Sequence, residues 1–249
     1  MNRAFVTLVL ALSVGGVHGQ DKPRLLITTE LSPPSAMLVN GKLTGFATEK
    51  LKVVMQRSGI TAEFNHYPWK RAYILATTQP NTCVYSTTRL PEREPLFKWV
   101  GPTHANDWTL FALAERNFKF TKIEDARAYR IGTYSGDVRS EFLIARGFNV
   151  DPVQNGEVNA RKLAAGRIDL WASSMRMGTY QAARDGLTGK VVPVLTYKLT
   201  AMYLACNPKV PDHLIQAMNS ALKDMNKDGS AKAIEQQFDF VQPQRQRSK

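Results

Sequence analysis

Cysteine is scarce in these 249 residues, with only Cys83 and Cys206 present. Histidine is scarce too, and His18, His66, His104 and His213 lie far apart. None has a second ligand at metal-binding spacing, so no metal is expected. The chain lacks a glycine-rich phosphate loop, a G-x-S-x-G turn and a His-Glu-x-x-His pattern. These absences remove the common sequence signs of nucleotide, serine-hydrolase and zinc-protease chemistry, and no cofactor is expected. Acidic charge is in deficit: 21 Asp and Glu stand against 33 Lys and Arg, a formal net charge of +12. That balance favours anionic ligands or surfaces. The basic residues are scattered and no nucleic-acid motif appears, so nucleic acid is not an expected partner.

No apolar run reaches the roughly 20 residues that a membrane span needs. The longest, Ala4 to Val17, follows Arg3 and ends at small residues around Gly19. This is the pattern of a cleaved export signal over residues 1–19, which places the mature chain in the periplasm. About 230 residues then remain, enough for two lobes of about 100 each. In an oxidising compartment Cys83 and Cys206 form either one long-range disulfide or two buried thiols, with export favouring the bridge.

Strand and helix signals alternate along the mature chain. Residues 24–29 read as a strand, and Asn40-Gly41 as a hairpin turn. A helix capped by Thr48 carries Leu51, Val54 and Met55 and ends at Gly59. A strand at 61–67, a helix at 69–77 and a strand from 82 follow. The alternation resumes after Gly101-Pro102 and closes with helices at 211–225 and 230–238. Repeated βα units predict an α/β fold with mostly parallel sheets flanked by helices. Two sets of them predict a two-lobe clamp joined by a two-segment hinge near 100–103 and 196–198. The first lobe is then 20–101 with 198–240, the second 102–197, and 241–249 a flexible tail.

The segment STTRLPEREPLFKWVGP, residues 86–102, is the most informative one. It sets Arg89 and Arg93 beside Ser86, Thr87 and Thr88. A guanidinium offers a carboxylate two charge-assisted hydrogen bonds, and hydroxyls can add further donors. The plain alternative is a surface turn in which Arg93 pairs with Glu92 or Glu94, an arrangement worth about 0–1 kcal/mol.

Four segments, in order, carry a family resemblance over nearly the whole mature chain: GKLTGFATEKLKVVMQRSG, STTRLPEREPLFKWVGP, GRIDLWASS and LKDMNKDGSAKAIEQQF. Together they resemble the bacterial extracellular solute-binding proteins of family 3, the periplasmic amino-acid-binding type. The resemblance implies the type II periplasmic-binding fold, a monomer, and delivery of a small solute to an ABC permease in the inner membrane. It gives Arg93 the solute's carboxylate, with Ser86 and Thr88 as neighbouring hydroxyls and Trp69 as an aromatic wall. In the second lobe it puts Ser135, Gly136 and Asp137 at a helix N-terminus able to add backbone donors.

Two positions depart from the family pattern. The aspartate that pairs with an α-ammonium is Ser174 here, five residues after Asp169. The first-lobe acidic position reads Thr29, with Glu30 beside it. Either Asp137 or Glu30 is the cation partner, or the solute lacks an α-ammonium. Two other functions stay open on the same clamp. One is a dehydratase acting on cyclic carboxylates through Glu30 or Asp137. The other is a sensor that reports solute occupancy to a membrane receptor.

Overall fold

The computed structural model describes residues 24–238. The expected export signal and the expected tail at 241–249 lie outside them. The strands and helices are β1 (Leu25–Thr29), β2 (Met37–Val39), β3 (Lys42–Thr44), α1 (Phe46–Ser58), β4 (Ala62–His66), α2 (Trp69–Thr78) and β5 (Thr82–Thr88). They continue with β6 (Lys98–Ala105), β7 (Trp108–Leu113), β8 (Ile131–Tyr134), α3 (Val138–Ala145), β9 (Val150–Val153), α4 (Asn159–Ala164) and β10 (Leu170–Ser174). The last five are α5 (Met175–Arg184), β11 (Val191–Lys198), β12 (Ala201–Cys206), α6 (Asp212–Lys227) and α7 (Ser230–Gln237).

Two five-stranded sheets result, ordered β4-β1-β5-β12-β6 and β11-β7-β10-β8-β9. Each is mixed, with two parallel and two antiparallel pairings. The antiparallel pairings come from the strands next to the crossings, which the βα alternation does not reveal. β6 stays in the first sheet as far as Ala105, paired with Ala201. The chain therefore passes between sheets at 106–107 and 199–200, not at the 101–102 boundary and the 196–198 segment expected from the sequence. Gly101-Pro102 reads as a break, yet an edge strand accepts proline because its outer N–H has no ladder partner to lose.

The first core packs α1 and α6 on the sheet through Leu25, Ile27, Leu51, Val54, Met218 and Leu222. α1 begins at Phe46, and Thr48 is not its cap. Gly45 sits at φ 118, and a Cβ there would lie 2.4 Å from the Ser35 carbonyl oxygen. The carbonyls of Pro34 and Ser35 accept the first helical N–H groups directly. Thr48 is left to hydrogen-bond the Tyr85 hydroxyl at 2.6 Å.

Cys83 and Cys206 are directly opposite on β5 and β12 and are joined by a disulfide. The second core is built on Leu110, Ile131, Leu143 and Leu170, with Phe111, Leu163 and Trp171 in a neighbouring cluster. α5 sits close to this cluster because Gly178 has no side chain. A Cβ there would lie 2.3 Å from the Phe111 ring. Gly178→Val is expected to cost about 1–3 kcal/mol by overpacking. It should lower the melting temperature, and Phe111→Leu should recover part of the loss. A melting temperature unchanged by Gly178→Val would show that α5 can shift freely.

Candidate functional site

In sheets of this kind, ligands sit outside the carboxyl ends of strands. Here the ends of β1, β5, β8 and β10 open on one cleft of about 280 Å³, lined from both lobes. It collects Arg93, Ser86, Thr88, Trp69, Glu30, Asp137 and Ser174. Ser135 is not among its lining residues. The Ser135 N–H bonds the Val153 carbonyl at 2.9 Å, which ties the turn to β9.

β5 prepares the first-lobe wall with a bulge. Val84 faces Ala205 and Thr87 faces Tyr203, so Tyr85 and Ser86 share the single residue Leu204 as their partner. Ser86 takes φ 56 there. A bulge re-aims side chains beside a site. The Ser86 hydroxyl is 2.9 Å from that of Ser35, and both residues line the cleft. Beyond the strand, a short 3₁₀ turn at Pro91–Leu96 follows Arg89 and carries Arg93. Arg89 makes a double contact with Glu94, at 2.6 and 2.8 Å, on the outer surface. Arg93 turns inward, donates to the Thr88 carbonyl at 3.1 Å and lies over the Tyr73 ring. Among the described residues, no carboxylate lies within salt-bridge distance of Arg93. Tyr73 belongs to an aromatic ladder running from Trp69 through Phe97 and Trp99 to Tyr203, which stiffens this wall. Phe97 and Trp99 pack there and are not lining residues.

The acidic residues are not equivalent. Asp137 caps α3 and receives the backbone N–H, Nε and Nη2 of Arg139 at 2.7–2.8 Å. Burial pushes its carboxyl up. The Arg139 charge and hydrogen bonds outweigh burial and hold it below the usual range. Asp137 is therefore one half of a neutral pair and makes a poor ammonium partner. Glu30 accepts a 2.8 Å hydrogen bond from the Tyr134 hydroxyl, which reaches across from the second lobe. Burial raises its pKa. The Tyr134 hydroxyl and the Trp69 N–H oppose that rise, and the Asp137 charge adds to it.

A carboxyl whose pKa is raised in the folded state weakens that state as it ionises. This contribution to stability is complete below about 4.5 and is lost as pH rises through the raised value. Melting curves of the wild type should accordingly lose stability over that window relative to Glu30→Gln. Parallel curves for the two proteins would refute the assignment.

Ser174 caps α5, accepting the Met177 N–H at 3.4 Å. Asp169 braces the far end of the strand, accepting from the Arg130 N–H. Several lining residues had no motif to mark them. Tyr134 ends β8, and Phe46 and His104 form a wall with ring centroids 4.8 Å apart. Burial, followed by the charges of Lys50 and Arg176, holds His104 down at about 3, so it is a neutral ring at neutral pH. Arg176, the second residue of α5, crosses to Glu235 of α7, which also binds the buried Lys50. Tyr134 and Arg176 thus tie the two lobes together on either side of the cleft. Trp171, at 2% exposure, is both core and cleft wall.

A sequence model of the bacterial extracellular solute-binding proteins, family 3, matches residues 25–242. The probable amino-acid-binding protein YxeM of Bacillus subtilis (strain 168) is 23% identical over 221 residues, covering 84% of this chain and 81% of that one. A histidine kinase sensor domain with similarity to periplasmic binding proteins superposes with a TM-score of 0.77 at 20% identity. That match covers 88% of this chain and 98% of the sensor domain. The ancestral amino-acid-binding protein AncCDT-1, a precursor of cyclohexadienyl dehydratase, gives 0.73 at 20% identity, over 87% of this chain and 95% of that one. At such identities the two structures establish the two-lobe fold.

Proposed function

Because the chain belongs to the bacterial extracellular solute-binding proteins of family 3, we propose that it captures a small carboxylated, amino-acid-like solute for delivery to an ABC-type permease. The observation that carries this reading is Arg93, an inward guanidinium in the cleft with no carboxylate partner among the described residues. A solute carboxylate completes it, with the Ser86 and Thr88 hydroxyls as further contacts. Trp69 forms the wall against the rest of the solute, and Glu30 and Ser174 face it from opposite lobes. Closure about 106–107 and 199–200 traps the solute, and a periplasmic location follows from the export signal read at residues 1–19.

A thermal-shift panel of amino acids, polyamines, dicarboxylates and aromatic acids tests this. A ligand at a hundredfold excess over Kd adds about 2.7 kcal/mol to the native state. A shift with one class of carboxylates supports capture. Shifts with polyamines alone would remove the carboxylate reading.

One observation favours a second reading. Glu30 is an acid of raised pKa inside the cleft, the property a dehydratase needs in a proton donor. Turnover of a prephenate- or arogenate-like compound, lost in Glu30→Gln, would establish that enzyme. Binding of the same compound without turnover would return the cleft to capture.

A further inference from the structure

Three cleft-lining residues of the first lobe form one row across its sheet. Thr88 of β5 faces Met202 of β12, and Met202 faces His104 of β6. Directly opposed residues project from the same face of a sheet, and all three line the cleft. Neighbouring strands lie about 4.8 Å apart, so His104 stands about 10 Å from Thr88 along the row. Arg93, which donates to the Thr88 carbonyl, marks one end of this row, and His104 marks the other.

The hydrogen bonds of His104 settle which ring nitrogen carries the proton. Thr103 Oγ1 is 2.9 Å from the Met202 carbonyl oxygen and 3.1 Å from His104 Nδ1. A hydroxyl has one proton to give, and a carbonyl can only accept. The Thr103 proton therefore goes to Met202, and Nδ1 donates its own hydrogen to Thr103. In a neutral imidazole the other nitrogen is then a lone-pair acceptor. The Thr103 contact is the ring's only hydrogen bond among the described residues, so Nε2 has no donor there. Nδ1 is committed to the buried Thr103, which leaves Nε2 for the cleft.

The surroundings decide which donor suits it. Phe46 supplies an apolar neighbour, its ring centroid 4.8 Å from that of His104. The charges that act on the ring are the cations Lys50 and Arg176, both bound to Glu235. They keep the imidazole neutral and oppose a further cation beside Nε2. A neutral hydroxyl or N–H is the donor that fits.

Resting on the capture reading, we propose that His104 sets specificity through Nε2. It accepts a hydrogen bond from a neutral hydroxyl or N–H at the far end of a solute whose carboxylate Arg93 holds. Titration calorimetry of the full chain tests this with two pairs, L-tyrosine with L-phenylalanine and L-glutamine with L-methionine. The members of each pair share their carboxylate and ammonium groups, so they differ in the distal donor. In at least one pair the donor-bearing member is expected to bind about tenfold or more tightly, because a site built to hydrogen-bond a group discriminates against an analogue lacking it. His104→Phe keeps a ring against Phe46 and removes both nitrogens. It should bring that ratio below about threefold, while Arg93→Ala weakens both members of the pair in parallel.

Nitrogen NMR of the histidine rings in isotope-labelled full chain supplies a readout that a mere packing role would not move. His104 is expected as the Nδ1–H tautomer, with Nε2 unprotonated. The Nε2 resonance should move toward the protonated position with the donor-bearing solute and stay in place with its apolar twin. An Nε2–H tautomer, a ratio unchanged in His104→Phe, equal or tighter binding of the apolar members, or silence of both pairs would overturn the assignment. The capture reading is judged separately, by Arg93→Ala and by the wider carboxylate panel. The NMR arm needs no variant, so it decides the matter even if a melting curve shows that His104→Phe does not fold.

Discussion

Arg93→Ala is expected to weaken capture of a carboxylated solute by between about 30-fold and a few thousand-fold. This corresponds to about 2–5 kcal/mol, the usual cost of removing one partner of a buried, hydrogen-bonded charge pair. The size follows from where Arg93 sits. Its guanidinium faces the cleft, rests on the Tyr73 ring and has no carboxylate within salt-bridge distance among the described residues, although its charge also acts on Asp137. Arg89→Ala is the control. That side chain is already paired with Glu94 on the outer surface and is not a lining residue. Its loss should change affinity less than about threefold, as for an exposed ion pair. Arg93→Lys should recover only part of the affinity, because an ammonium lacks the two-pronged geometry of a guanidinium. Titration calorimetry on the three variants decides the matter. Equal affinities for Arg93→Ala and wild type would remove the carboxylate from this site.

The second large effect is expected from the disulfide. Cys83 and Cys206 are 123 residues apart in sequence and directly opposite in the first sheet. Closing so long a loop restricts the unfolded chain, and losing such a bridge usually costs about 2–5 kcal/mol. For a chain of this size each kcal/mol moves the melting temperature by about 2–4 °C, so Cys83→Ala with Cys206→Ala should melt about 5–15 °C lower. The bridge also ties β5, which carries Ser86 and Thr88, to its neighbour β12. Calorimetric scans of the double variant and of the wild type, at one pH, give the number. A difference under about 2 °C would mean that the unfolded chain is held compact by other contacts.

Much of this was legible in the sequence. The βα alternation gave the two-lobe clamp because buried strands and amphipathic helices leave different periods in the chain. The 86–93 segment pointed to Arg93 because guanidinium and hydroxyls together have a definite chemistry. Cys83 and Cys206 were one of two open possibilities, and cross-strand placement decided for the bridge. The chain passes between the two sheets a few residues beyond the expected segments. Gly101-Pro102 looks like an end, whereas β6 continues through it because an edge strand tolerates proline. Thr48 resembled a helix cap, but the loop carbonyls of Pro34 and Ser35 took that role.

What the sequence alone determined was the inventory: a clamp of βα units, two arginines among hydroxyl-bearing residues at 86–93, and a serine at position 174. Only the tertiary structure decided which charges are already paired. It turned Arg93 inward and Arg89 outward, although four residues separate them. It joined Asp137 to Arg139 and carried the Tyr134 hydroxyl across the cleft to Glu30. The reason is physical: residue type and spacing are local properties. The pairing and desolvation of a charge depend on segments a hundred residues away, such as Tyr134 from Glu30, and exist only once the lobes have packed.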